Sequence, residues 1–195
     1  MNPLRLLAPL ACCVISLQAG TPRTYGKPLT LKEETRISDI LARHLSAMAE
    51  IVLAHGGTLD KFAGDEVMAV FGAPDPLPDH AERALRCAVA MQARQAELNN
   101  DGWTGSLDAL QIGIGVNTGM VVAGTVGGGG RLEYTVVGDT VNIAQRLQSE
   151  ARGGEIIAAS STVSAAAGGF RAEPIGPRQV KGRREPVEAF RVAGA

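Results

Sequence analysis

Apolar residues recur at spacings of three and four along residues 37–52, a pattern that predicts one long amphipathic helix. Thr30 and Glu33 form a capping box just before this run, and two glycines that follow His55 are suited to end it. The next stretch, residues 59–73, alternates loosely around a Gly-Asp pair, which predicts a β-hairpin of two short strands. This part of the chain therefore predicts a helix followed by a hairpin.

Residues 79–138 continue the alternation of helices and strands. Asp79 is placed to cap a second helix that runs to about Asn99. Residues 110–127 then predict a buried strand, a glycine-containing turn and a second strand, and residues 133–138 predict one more strand. Cys87, on the second helix, is expected to be a small buried hydrophobe rather than a reactive thiol.

The last third of the chain predicts a helix and a closing hairpin. Asp139 is placed to cap a helix that continues to about Ala151. Residues 155–160 predict a short strand, a short Ser/Ala-rich helix follows, and residues 170–192 predict an antiparallel hairpin. Helices that alternate with strands and hairpins in this way indicate an α/β (α+β) domain.

The opening segment has a different pattern. Residues 1–20 contain one arginine, Arg5, followed by an apolar run to Leu17, which is the outline of a short signal sequence or a peripheral membrane anchor. A tail that belongs to no fold has the same outline. Because Gly and Pro punctuate residues 20–30, that stretch is interpreted as a linker. We therefore predict a leader and linker over residues 1–30 and one domain over residues 31–195.

Composition and charge narrow the classes of function. The chain has 19 Lys and Arg against 20 Asp and Glu, a formal net charge of −1, which argues against a broad nucleic-acid footprint. Its 45% hydrophobic content is that of an ordinary globular protein. The three cysteines have neither disulfide-framework nor zinc-site spacing, so a reducing compartment fits best.

Five residues have the chemistry to hold a nucleoside triphosphate. Asp65 lies at the predicted hairpin turn, four residues after Lys61. Asn142 and Arg146 are one helical turn apart, and Lys181 lies in the turn before the last strand. A carboxylate at a turn can hold Mg²⁺, and an Asn and an Arg on one helix face can donate to ribose or phosphate oxygens. Taken singly, each residue is also compatible with ordinary turn or surface chemistry.

Several stretches together resemble the catalytic domain of the class III nucleotidyl cyclases, the adenylate and guanylate cyclases. They occur in family order over residues 41–193: LSAMAEIVLAHGGTLDKFAGDEVMAVFGAP, HAERALRCAVAMQ, IGIGVNTGMVVAGTVG, RLEYTVVGDTVNIAQRL and VKGRREPVEAFRV. The resemblance implies a ferredoxin-like βαββαβ nucleotide cyclase fold. It also implies a head-to-tail dimer with active sites built across the dimer interface.

The resemblance assigns roles around the predicted hairpin. Asp65 matches the second of the family's two metal-binding aspartates, and two Mg²⁺ or Mn²⁺ ions per site are implied. Lys61 and Thr135 match the two base-recognition positions and are similar to the pair that selects adenine, where guanylate cyclases typically have Glu and Cys. Phe62 and Gly64, between Lys61 and Asp65, are included among the candidate substrate-binding residues.

Other roles fall on the third helix and the last turn. Asn142 and Arg146 match the residues that orient the ribose and stabilise the transition state, and Lys181 matches the lysine that holds the terminal phosphates. In the family's reaction the ribose 3′ hydroxyl attacks the α-phosphorus in line and pyrophosphate leaves. Cationic donors offset the charge of such a loose transition state.

The chain departs from the family pattern at its start. The family's first strand has the form FADIxGF, whose Asp is the first metal ligand, and no such motif occurs here. Asp39 in RISDIL echoes it superficially but falls inside the predicted long helix. We therefore predict a fold truncated at its N-terminus, which lacks the first strand and helix.

These observations leave several functions open. The first hypothesis is a cytoplasmic adenylate cyclase that acts on ATP as a homodimer, or as a heterodimer with another cyclase chain, with at most weak membrane association. The alternative is a truncated, non-catalytic homologue that binds nucleotide or pairs with an intact cyclase. A guanylate cyclase is disfavoured by Lys61 and Thr135. A diguanylate cyclase, suggested by AGDEV, is disfavoured by the longer match elsewhere.

Overall fold

The structure is a computed structural model that describes residues 4–18, 30–102, 109–128, 131–166, 168–179 and 185–194; within 4–18 it describes the backbone and the side chain of Ala11. Helices and strands alternate along most of this length. In chain order they are β1 (Leu4–Gln18), α1 (Leu31–Ala54), β2 (Thr58–Ala63), β3 (Glu66–Phe71), α2 (His80–Asn100), β4 (Gln111–Gly128), β5 (Arg131–Val137), α3 (Asp139–Glu150), β6 (Ile156–Ala159), α4 (Ser160–Ala165), β7 (Phe170–Arg178) and β8 (Val187–Gly194).

One eight-stranded sheet organises the part of the molecule that the structure describes. Its strand order is β2-β3-β1-β4-β6-β8-β7, and β5 pairs with the second half of β4. The first six elements run β1-α1-β2-β3-α2-β4 and their strands are ordered β2-β3-β1-β4, which is the ferredoxin-like βαββαβ arrangement. The predicted mixed α+β class and the two predicted hairpins, β2–β3 and β7–β8, are confirmed.

Strand β1 corrects the prediction for the opening segment. Residues 4–18 pair antiparallel with β3 on one side and with β4 on the other, so they form a central strand rather than a leader outside the fold. The prediction of a missing first strand is therefore wrong. The helix that we predict to be missing with it would lie before α1, and the predicted linker covers residues 20–30. Apart from Thr30, that stretch lies outside the described residues. A central strand can consist of a continuous apolar run, which sequence alone does not distinguish from a signal-like segment.

The sheet carries helices on both faces. Ile112, Ile114 and Val116 of β4 belong to the core that also contains Met48 of α1 and Met91 of α2. The alternate residues face the other way, toward α3. A Cβ at Gly115 would lie 2.2 Å from the Ala144 carbonyl oxygen, so glycine is what lets α3 lie directly on the strand. The order of layers is α1 and α2, the sheet, and α3.

Strand β4 also differs from its prediction. Residues 110–127 were expected to form two strands around a turn, but Gln111–Gly128 is one strand of 18 residues. Glycine in this strand lets α3 approach closely, because a Cβ at Gly119 would lie 2.6 Å from Thr140 Oγ1. Glycine in this segment therefore marks helix packing rather than a turn.

The two predicted aspartate caps are wrong in detail. Asp79 occupies the N-cap position of α2 but makes no side-chain capping bond. Instead Arg83 Nε donates to the Asp79 carboxylate, 2.9 Å from each oxygen. This bond lowers the pKa of the exposed Asp79 carboxyl. Asp139 is the first residue of α3, and Gly138 occupies its N-cap position.

Cys87 in the core and the length of the helices also bear on expectations from the sequence. Cys87 is fully buried, as predicted, and burial raises the pKa of its thiol to about 12. None of the helices that the structure describes combines the length and the apolar character that a membrane span requires.

His44 joins α1 to α2 inside the core. It is fully buried, and its Nδ1 lies 2.9 Å from Gln95 Oε1. Burial lowers the pKa of the His44 imidazole, while the Gln95 hydrogen bond and the charge of Asp65 act in the opposite direction. The pKa of His44 in the folded state thus lies below the ordinary histidine value of 6.5, and the ring is neutral in the fold near pH 7.

We expect a pH-dependent stability from this residue. As pH falls below 6.5, the unfolded chain binds a proton that buried His44 resists, so the free energy of unfolding falls by up to about 1.4 kcal/mol per pH unit until the lowered folded pKa is passed. Urea titrations at several pH values between 5 and 7.5 give the free energy of unfolding, which should change less with pH for His44→Gln than for the wild type. His55→Gln, in the turn after α1, is the matched control. The same pH dependence in all three proteins would contradict the expectation.

Candidate functional site

The β2–β3 turn presents the predicted metal ligand at the surface. Gly64 adopts φ +65°, the left-handed conformation that glycine takes without strain. Asp65 follows it and is exposed. The turn therefore holds an accessible carboxylate at a defined place on the sheet.

A β-bulge decides the direction of Lys61. Leu59 pairs with Ala69, but Lys61 pairs with Met68, so Asp60 is an extra residue in β2. Without the bulge Lys61 would lie on the face of α1 and α2. With it, Lys61 shares the face of Met68, which packs against Ala144 of α3.

The base-recognition candidates differ in their surroundings. The Lys61 side chain is 44% exposed, and its Nζ lies 3.3 Å from Asp60 Oδ2. Phe62 is 46% exposed, and its pairing with Val67 places it on the opposite face from Lys61. Thr135 of β5 is buried opposite Gly124, and no described group forms a hydrogen bond with its hydroxyl. The register thus separates Phe62 from Lys61.

Helix α3 presents the predicted phosphate-binding residues outward. Its buried residues include the apolar Ile143, Ala144 and Leu147, whereas Asn142 and Arg146 are exposed one turn apart. Arg146 Nε lies 3.3 Å from Glu150 Oε1, and Glu150 Oε2 lies 3.2 Å from Arg178 Nε on β7. Lys181 lies outside the described residues, between β7 and β8.

The carboxylates at the turn bear on metal binding. Partial burial and the negative charge of Asp65 raise the pKa of the neighbouring Glu66 carboxyl. Strand β1, which pairs with β3 beside this turn, contains no Asp or Glu. Asp39, the superficial echo of the first metal ligand, lies on α1 and is exposed.

At the β2–β3 turn, Asp65 offers an exposed carboxylate to a divalent cation. No cluster of three or more His, Cys, Asp or Glu able to hold a metal occurs within the described ranges. Mg²⁺ commonly binds through one or two carboxylates together with substrate phosphates and water, an arrangement that Asp65 can serve. The chemistry supported by the donor set is therefore one cation near Asp65 and cationic donors on the α3 face.

Sequence reasoning missed two residues that touch the candidates. Asp60 contacts Lys61, and Glu150 contacts Arg146. Glu150 could have been found from its i, i+4 spacing to Arg146. Asp60 could not, because strand alternation predicts that neighbouring side chains point to opposite faces and only the bulge brings them together.

Comparison with known proteins places the chain in a family. The family model described as "Adenylate and Guanylate cyclase catalytic domain" matches residues 29–194. Adenylate cyclase 1 from Rhizobium meliloti (strain 1021) is 34% identical over 157 residues, which cover 80% of this chain and 24% of the relative. The chain thus spans about a quarter of the length of that relative.

Solved structures agree with the family match. The adenylyl cyclase CyaB from P. aeruginosa has a TM-score of 0.87 at 29% identity, with 97% of this chain and 95% of that chain covered. The guanylyl cyclase Cya2 has a TM-score of 0.85 at 34% identity, with 100% and 95% covered. The predicted nucleotide cyclase fold is therefore confirmed, and the chain belongs to the adenylate and guanylate cyclase catalytic domain family.

Proposed function

We propose that this domain is an adenylate cyclase that converts ATP to cyclic AMP and pyrophosphate. The observation that carries the proposal is the β-bulge in β2, because it directs Lys61 to the face of the sheet on which α3 presents Asn142 and Arg146. Base recognition and phosphate stabilisation then share one face. The similarity to adenylate cyclase 1 of Rhizobium meliloti supports the same activity.

Lys61 supports adenine as the base. Its ammonium can donate a hydrogen bond and cannot accept one. Adenine presents an unprotonated ring nitrogen at N1, whereas guanine carries a proton at that position, so a lysine suits adenine there and a glutamate would suit guanine. Thr135, whose hydroxyl forms no hydrogen bond with a described group, is the second base-recognition residue.

The reaction needs charge stabilisation along the phosphates. The ribose 3′ hydroxyl attacks the α-phosphorus, and the bond to the pyrophosphate oxygen breaks. The Arg146 guanidinium donates to the phosphate oxygens on which charge grows, and the Asn142 amide orients the ribose. Lys181 holds the terminal phosphates. A divalent cation, Mg²⁺ or Mn²⁺, held by Asp65 would supply Lewis-acid polarisation of the phosphate.

A second copy of the chain completes the site. The exposed face of the β4–β5 ribbon carries four apolar side chains that are 37–51% exposed: Met120, Val122, Val126 and Val137. An apolar patch of this kind on a soluble domain marks a contact surface. We propose a homodimer in which Asp65 of one protomer and Arg146 of the other serve the same site; a heterodimer with another cyclase chain would use the same surface. Because the proposed substrate is ATP, we propose that this assembly acts in the cytoplasm.

A second candidate function is nucleotide binding without turnover. It is favoured by the absence of any acidic residue from β1, where Ser16 pairs with Glu66 beside the Asp65 turn. Removal of one carboxylate from a two-metal centre normally costs much of the charge stabilisation on which phosphoryl transfer depends. Such a domain would bind ATP, or pair with an intact cyclase, and release no product.

One assay separates these functions. The purified chain is incubated with Mn²⁺ and either ATP or GTP, and cyclic products are detected by mass spectrometry. The proposal expects cyclic AMP in excess over cyclic GMP. ATP binding without product would support the non-catalytic alternative, and cyclic GMP as the main product would contradict the adenine assignment.

Lys61→Glu should shift the base preference from ATP toward GTP. Because the substitution replaces a donor with an acceptor, the ratio of kcat/KM for ATP over GTP is expected to fall by about 10-fold or more, equal to the loss of one good base contact. Lys32→Glu, on the exposed N-terminal turn of α1, makes the same charge change away from the site. If the ratio did not move in Lys61→Glu, the base-recognition role would be wrong.

A further inference from the structure

We propose that Asp60 is a positioning residue that holds the Lys61 ammonium in place for the base, so that it sets both affinity and base preference. The inference rests on the proposed function and adds a residue to it. Asp60 is the bulged residue of β2, directly before Lys61.

The Asp60 carboxylate is buried with few partners. Its side chain is only 2% exposed, and Oδ2 forms no hydrogen bond with any group in the part of the chain that the structure describes. The cation beside it is Lys61, whose Nζ lies 3.3 Å from Oδ2. A buried carboxylate is costly unless it is paired, so this ion pair offsets the cost of keeping a charge at this position.

The bulge explains why the two side chains meet. In a regular strand Asp60 and Lys61 would point to opposite faces of the sheet. The extra residue turns Lys61 to the face of Met68, and the 3.3 Å contact shows that Asp60 lies beside it there. One local irregularity therefore both redirects the lysine and supplies its anchor.

An anchored lysine binds differently from a free one. The lysine side chain is a flexible four-carbon stem with large rotamer entropy. When a carboxylate restrains the ammonium in the free protein, less ordering is left for the moment of binding, and affinity rises through preorganisation. Restraint also keeps the ammonium of the Lys61 side chain, which is 44% exposed, from moving to the triphosphate, where it would contribute equally to ATP and GTP.

Asp60→Asn tests the role with nearly unchanged shape. We expect the Kd for 3′-deoxy-ATP, which lacks the attacking hydroxyl, to rise by about 5-fold, as for other preorganising contacts. The ratio of the affinity for the ATP analogue to that for the GTP analogue should fall by a similar factor. In a Lys61→Met background the same substitution should have no further effect, because the two residues act through one contact. Glu173→Gln, which removes another carboxylate 3.4 Å from a cation, is the matched control and should change neither quantity.

Folding and motion are measured separately. The melting temperature of Asp60→Asn should be equal to or above that of the wild type, since the substitution removes a buried charge. A purely structural role would change the melting temperature without changing base preference. After reductive ¹³C-methylation, the NMR signal of Lys61 should become narrower in Asp60→Asn as the side chain gains motion.

The outcomes distinguish this inference from the proposed function. An unchanged Lys61 line width, or additive effects of the two substitutions on Kd, would overturn the positioning role even if the wild type produces cyclic AMP. Because binding of 3′-deoxy-ATP needs no turnover, the role can also be supported in a chain that forms no product. A wild-type chain that does not bind 3′-deoxy-ATP would overturn both proposals.

Discussion

Replacement of Asp65 by alanine is expected to lower kcat for cyclic AMP formation by about 100-fold or more, the scale of loss when a main source of transition-state charge stabilisation is removed. Asp65 is the acidic residue exposed at the Gly64 turn, and β1 beside it offers no second carboxylate. No neighbouring acid on that strand can therefore take over its role. The melting temperature should change little, because the Asp65 side chain is exposed.

Asp39→Ala is the matched control for Asp65→Ala. Both residues are exposed aspartates, but Asp39 lies on α1. We expect Asp39→Ala to keep activity within about 2-fold of the wild type, as for surface substitutions away from a site. Loss of activity in Asp39→Ala would show that the metal had been assigned to the wrong residue. A loss of activity below 3-fold in Asp65→Ala would show that Asp65 has no part in the mechanism.

Arg146→Ala is expected to lower kcat by about 100-fold with a smaller change in KM, because the guanidinium acts mainly on charge that develops in the transition state. Arg146→Lys should recover little of this loss, since lysine keeps the charge but not the planar fork of donors. Arg146 is exposed and paired with Glu150 on its own helix, so the fold should tolerate both substitutions.

Arg94→Ala is the control for Arg146. Arg94 makes a similar helical ion pair, with Glu97 at 2.8 Å, but lies on α2, on the other face of the sheet. Its replacement should leave kcat unchanged. Equal losses in Arg94→Ala and Arg146→Ala would indicate a general effect of surface charge rather than transition-state stabilisation.

Much of the fold could be predicted because its signals are local. The three-and-four spacing from Ile37 predicted α1, and the Gly64-Asp65 pair predicted the β2–β3 hairpin; both are confirmed. Strand β1 could not be predicted in the same way. Its evidence is long-range, since only pairing with β3 and β4 distinguishes Leu4–Gln18 from an apolar leader.

Candidate residues for the site could be named from the sequence, but their geometry could not. Motifs identified Lys61, Asn142 and Arg146 as candidates, yet no motif shows which face of the sheet they occupy. The face depends on one extra residue in β2, and a shift of one residue moves a side chain to the other side of a sheet. Asp60 was missed for that reason, because the strand register brings it to Lys61 and its residue type alone does not indicate this contact.

The most direct test of a site shared by two copies is a mixing experiment with Asp65→Ala and Arg146→Ala proteins. Each variant alone is expected to be nearly inactive. In a 1:1 mixture half of the dimers are mixed, and each mixed dimer has one site with both residues intact, so about a quarter of wild-type activity should return. Mixed dimers that form and yet make no cyclic AMP, while the wild type does, would contradict an active site built from Asp65 of one protomer and Arg146 of the other.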